Sequence, residues 1–154
     1  MAKIIPLELK RAEHAERERQ QAFAGFPWSE LIEDIQLLLN PLTSRLPANK
    51  RWLVEESVYR LAYESFLLGI RASRKIRQKG RGGVGNSPWK EMVQGDMRVA
   101  GNRLINQTAE DFQLFQVLEK SLRQSVIDVM KVLMPRWLIR GAEYGLLLRK
   151  QRRI

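Results

Sequence analysis

Six cations fall within the eleven residues from Arg71 to Arg81: Arg71, Arg74, Lys75, Arg77, Lys79 and Arg81, with no acidic residue between them. On a helix Arg71, Arg74, Lys75 and Gln78 share one face. Arg60, eleven residues earlier, points roughly the same way. A ridge of this kind suits a phosphate backbone, because Lys and Arg displace the counterions condensed on it and release them to solution. Arginine adds bidentate geometry towards phosphate oxygens. A competing reading is a solvated helix end, where cations complement the dipole. A second cluster, Arg149, Lys150, Arg152 and Arg153, lies at the other end of the sequence. Alone it reads as a frayed, soluble terminus. Together the two clusters predict one continuous basic surface.

Other residues of types that do chemistry are less organised. The stretch 80–86 reads GRGGVGN. It lacks the Lys-Ser/Thr of a phosphate-binding loop, and no strand precedes it. It is expected to be a mobile flap that brings backbone N–H groups and Arg81 close to phosphates. Trp89 suits a core anchor better than a base-stacking platform. The acidic pairs Glu33-Asp34, Glu55-Glu56 and Glu110-Asp111 are adjacent in sequence, so on helices they diverge by about 100° and do not face each other. The single histidine, His14, and the absence of cysteine supply neither a zinc set nor a triad. No catalytic residue, metal or cofactor is expected, and the chain reads as a binding protein rather than an enzyme.

The whole composition points the same way. The chain of 154 residues carries 27 Lys and Arg against 17 Asp and Glu, a formal charge of +10. Charge of this size in one small domain implies a polyanionic partner. No apolar run is long enough to span a membrane, and the opening MAKIIPLELKR is too short in apolar residues for a secretion signal. The expected location is the cytoplasm.

These residues must be held by helices. Period-2 alternation and hairpin turns are missing, whereas 3-4 spacing recurs throughout. The fold class is all-α, a single bundle of five or six helices. Residues 1–24 read as a charged helix or arm and 25–154 as the bundle. Leu31, Ile32, Ile35, Leu38 and Leu39 predict a helix over 29–40, ended or kinked by Pro41. Trp52, Tyr59, Ala62, Tyr63, Phe66, Gly69, Ile70 and Ser73 form the core stripe of a helix over 50–78. Gly69 marks close approach of another helix. Ser87-Pro88 starts a helix to about Leu104. A break is predicted at Asn106–Thr108, then a helix from Ala109 to Met134 with Phe112, Phe115 and Leu118 inside, stopped by Pro135. The last helix, 136–149, turns Trp137, Leu138, Ala142, Gly145 and Leu148 inward. Gly141 and Gly145 give the spacing of close packing within the bundle.

In size, helicity and charge, the chain resembles the small subunits of multi-subunit CRISPR effector complexes. The resemblance covers the long helix from Lys50, the basic run Arg71 to Arg81 and the helices after Ser87, and it is one of type rather than motif. It implies a subunit present in several copies that contacts guide and target strands, RNA or DNA, through their phosphates. Arg71, Arg74, Lys75 and Arg77 would make that contact, and exposed apolar residues would meet neighbouring subunits. Two further readings remain open. One is an adaptor or inhibitor that docks on an acidic protein. The other is a helix-turn-helix regulator built on the Leu104–Asp111 connection, although Glu110 and Asp111 there would repel phosphate.

Overall fold

In the computed structural model the described residues are 7–79 and 95–154, without the side chains of 77–79 and 96. The expected Gly-rich flap, Arg81, the Ser87-Pro88 cap and Trp89 lie outside them. Among the described residues every regular element is a helix: α1 (Leu7–Gly25), α2 (Trp28–Asp34), a π turn (Ile35–Leu39), α3 (Asn40–Thr43), α4 (Ala48–Lys79), α5 (Asp96–Asp111), α6 (Leu114–Val117) and α7 (Lys120–Lys150). The all-α bundle follows the apolar spacing.

The bundle is built on α4 and α7, which run parallel. Contacts advance in the same direction along both: Phe66 meets Gly141, Gly69 meets Leu138 and Ala142, and Ile70 and Ser73 meet Gly145. Close approach is possible because small residues recur every four positions, Ser65, Gly69 and Ser73 on one helix and Gly141 and Gly145 on the other. A Cβ on Gly141 would fall on the Phe66 carbonyl oxygen, and one on Gly69 on the Leu138 carbonyl oxygen. The serines do not leave bare hydroxyls in this seam. Ser65 Oγ donates to the Leu61 carbonyl at 2.6 Å and Ser73 Oγ to that of Ile70, satisfying each polar group on its own helix. Above and below the seam, Leu61, Ile70, Met130, Leu133, Trp137 and Leu148 are fully buried.

The remaining helices run against this pair. Antiparallel α1 sets His14 beside Arg74 and its Arg19 carbonyl beside the Tyr63 hydroxyl. It is a docked helix, with Ala22 and Glu18 buried. Along α2, Glu30 meets Arg140 at 2.5 Å and Asp34 meets Arg136 at 2.9 Å, while the buried Trp137 indole N–H donates to Asp34 at 3.2 Å. The return helix α5 places Gly101 against Met134 and Asp111 near Arg60.

Several expected boundaries move. Pro135 does not stop a helix but lies inside α7. A mid-helix proline costs about 3 kcal/mol. Burial of Leu133, Met134, Trp137 and Leu138 around it, at about 1.5–3 kcal/mol for each large apolar side chain, outweighs that. No break occurs at Asn106–Thr108. The Thr108 hydroxyl bonds back to the Leu104 carbonyl at 2.8 Å rather than capping a new helix, and buried Ile105 and Ala109 carry the inner face across the polar residues. The chain turns instead at Gln113, whose φ of 54° is left-handed, and at the extended Leu118 before α7. Trp52 is not core, being 61% exposed near the start of α4, and Phe115 is exposed with the Arg123 guanidinium over its ring at 5.0 Å. Pro41 does not end the helical path but falls in the first turn of α3, just after the π turn, where a missing N–H is tolerated.

Candidate nucleic-acid interface

Because α4 and α7 are parallel, their C-terminal ends, and with them both basic clusters, come to the same end of the bundle. Arg71, Arg74 and Lys75 are exposed on α4, and Lys150, Arg152 and Arg153 at the end of α7. Helix α1 spans the two groups. Arg74 donates to His14 Nε2, and Arg153 donates to Gln21 Oε1 at 3.2 Å. His14 and Gln21 are two turns apart on one face, so these tethers stand about 10 Å apart along α1.

The tail is folded rather than frayed. Arg152 N–H bonds the Arg149 carbonyl at 3.1 Å and Arg153 N–H the Leu148 carbonyl at 2.8 Å, with Arg152 in the left-handed region at φ 56°. This 5→2 and 6→1 pattern is a Schellman cap. It reverses the chain at the end of α7, directs Arg153 to α1, and lets Ile154 pack against the core.

The six exposed cations of this end take no carboxylate among the described residues, a condition shared by cations elsewhere such as Lys50, Arg98, Arg103 and Lys131. Among the described residues the ion pairs join Arg60 to Asp111, Arg136 to Asp34, and Arg140 to Glu30 and Glu143, with His14 beside Glu18. None of them takes Arg71, Arg74, Lys75, Lys150, Arg152 or Arg153. The parallel helices also present two negative dipole ends here, about half a charge each. Six cations exceed what that dipole offsets, so the end is strongly positive. One buried carboxylate approaches it: Glu18 on α1, whose Oε1 lies 3.7 Å from His14 Nε2. Helix α1 itself is charge-balanced, with four Glu against four Lys and Arg.

Not all the expected residues join this surface. Arg149 is only 6% exposed. Its Nε donates to Ser73 Oγ at 2.8 Å and its Nη2 to the Ile70 carbonyl at 3.3 Å, so it braces the α4–α7 seam from within. Its place was legible: Arg149 follows Gly141 and Gly145 at the same four-residue interval. Arg60 is also set apart. It stands about 16 Å along α4 from Arg71, paired with Asp111 at 3.6 Å and lying over the Phe112 ring at 5.5 Å. The side chains of Arg77 and Lys79 and all of Arg81 lie outside the described residues. His14 and Gln21, which tether the cluster, escaped the sequence reading, although their seven-residue spacing puts both on one face of α1.

Among the described residues no group of three His, Asp or Glu side chains is placed to hold a metal ion, and no helix is long and apolar enough to cross a membrane. Comparison with known proteins finds no matching family model, no similar curated protein and no similar solved structure.

Proposed function

We propose that this chain is a non-catalytic nucleic-acid-binding protein that grips the phosphate backbone with the basic end of its bundle and works as a small subunit of a larger nucleoprotein complex. The observation that carries this reading is the gathering at one end of six cations without a carboxylate partner among the described residues. Contacts of this kind position a strand without reading its bases. The resemblance in size, helicity and charge to CRISPR small subunits suggests an effector particle as the setting. Exposed Phe23, Leu37, Trp52 and Val132 supply apolar surface for neighbouring subunits.

The test is fluorescence anisotropy with labelled single-stranded RNA, single-stranded DNA and duplex DNA across a salt series with heparin as competitor. Six phosphate contacts give a log–log salt slope of about −5 on duplex and −4 on a single strand. Reversing Arg71, Arg74 and Lys75 to Glu is expected to flatten that slope by half or more, for all sequences alike. Full binding by the triple variant, or equal and heparin-sensitive binding of all three nucleic acids, sinks the proposal.

A further inference from the structure

Along the flank of α4, a groove of about 590 Å³ is lined by Trp28, Tyr59, Tyr63 and Phe112, with Glu56, Arg60 and Glu64 between the rings. The Trp28 and Tyr63 planes are within 7° of parallel, with centroids 6.5 Å apart. Glu56, Arg60 and Glu64 stand at successive turns of α4, yet Arg60 turns from both acids to Asp111. Neither Glu56 nor Glu64 forms an ion pair among the described residues. The two carboxylates are half-buried beside aromatic faces, in a chain that is otherwise strongly basic.

We infer that this groove receives an arginine side chain presented by a protein partner. A planar guanidinium stacks on aromatic rings while its N–H fork meets a carboxylate. One half of the groove already holds that arrangement within the chain, Arg60 lying over Phe112 and against Asp111. The other half repeats the elements, the Trp28 and Tyr63 rings beside Glu64. Burial first, and then Glu55 and Glu56, raise the Tyr59 phenol above its ordinary pKa; burial and then Glu64 raise that of Tyr63, with Glu16 adding to the rise and Arg19 and Arg71 opposing it. A phosphate backbone would be repelled by the same carboxylates. The groove is open to solvent, and exposed Phe23, edge-on to Trp28 at 5.9 Å, extends its apolar rim. Both features suit a side chain carried on a partner's surface rather than an enclosed small molecule. This inference stands apart from the nucleic-acid reading, because no residue of the basic end lines the groove.

The experiment is a titration of the nitrogen-15-labelled full chain, without nucleic acid, with the capped peptides Ala-Arg-Ala and Ala-citrulline-Ala and with spermidine, following the Trp28 indole N–H. Citrulline keeps the shape and removes the charge. Saturable shifts are expected with the arginine peptide, at least about fivefold tighter than with the citrulline peptide or spermidine. The Glu56→Gln/Glu64→Gln variant is expected to lose that preference while keeping its helical circular dichroism. Equal binding of the citrulline peptide overturns the inference, as does a response that never saturates. Spermidine binding as tight as the arginine peptide overturns it in favour of a free polyamine.

Discussion

Arg152 occupies a position where backbone strain and charge can be separated by a single substitution. Its φ of 56° forces a Cβ-bearing residue into the left-handed region, at a cost of about 1–2 kcal/mol. Glycine at this cap position removes that strain but gives back about 0.5–1 kcal/mol through the greater freedom of the unfolded chain. Arg152→Gly is therefore expected to stabilise the fold by about 0.5–1 kcal/mol, raising Tm by about 1–4 °C for a chain of this size. Arg152→Ala keeps the strain, and its stability should stay within about 0.5 kcal/mol of the parent. Both variants lose the same cation, so each should lower the steepness of the salt dependence of binding by about 0.9 on duplex or 0.7 on a single strand. Thermal unfolding and anisotropy on the three proteins check the two halves. A glycine variant no more stable than the alanine variant refutes the Schellman cap. An unchanged salt slope in both removes Arg152 from the interface.

Two further outcomes follow from the seam and from the groove. Gly141→Ala gains about 1 kcal/mol of helix propensity but drives a methyl into the Phe66 carbonyl, an atom of the opposing backbone that cannot swing aside. A net loss of about 1–3 kcal/mol is expected in denaturant unfolding, larger than for Gly101→Ala, whose methyl meets the flexible end of Met134. The raised Tyr59 and Tyr63 phenols predict alkaline sensitivity. Above the ordinary value of 10.0 the unfolded chain releases these protons before the folded one, so stability falls as pH rises and is unaffected by them below that point. Tyr59→Phe should reduce the fall in the denaturant midpoint between about pH 9 and 11.

The helical class and most of the inner faces were readable because 3-4 spacing reports burial directly. Ala62, Phe66, Ile70, Trp137, Leu138 and Leu148 are all buried where their spacing put them. Local signals misled where tertiary burial overruled them. Pro135 and the polar pair Asn106–Gln107 look like stops, but neither outweighs the apolar contacts on either side. Trp52 shows the converse, since its type says core and its place near the open start of α4 leaves nothing to cover it. For the basic surface, charge content was legible, and availability only where the four-residue seam interval marks a residue, as at Arg149. Arg149 differs from Lys150 only in falling on the seam of small residues. The alignment that gathers the two clusters depends on α4 and α7 being parallel, a relation between segments far apart in sequence that no local pattern encodes.

That parallel pairing also sets how the chain must reach its structure. Neighbouring helices joined by a short turn are antiparallel and find each other quickly. Here the central contacts join residues 76 and 79 positions apart, Ser73 and Ile70 to Arg149. A long loop must close before its contacts return any stability, so folding should be slower than in an up-and-down bundle of the same length. During synthesis α4 emerges well before α7 exists, and its Ser65, Gly69 and Ser73 groove waits without a partner. Until α7 has left the ribosome, neither the core nor the basic end can assemble, and a chain cut short before α7 has no central pair on which to fold.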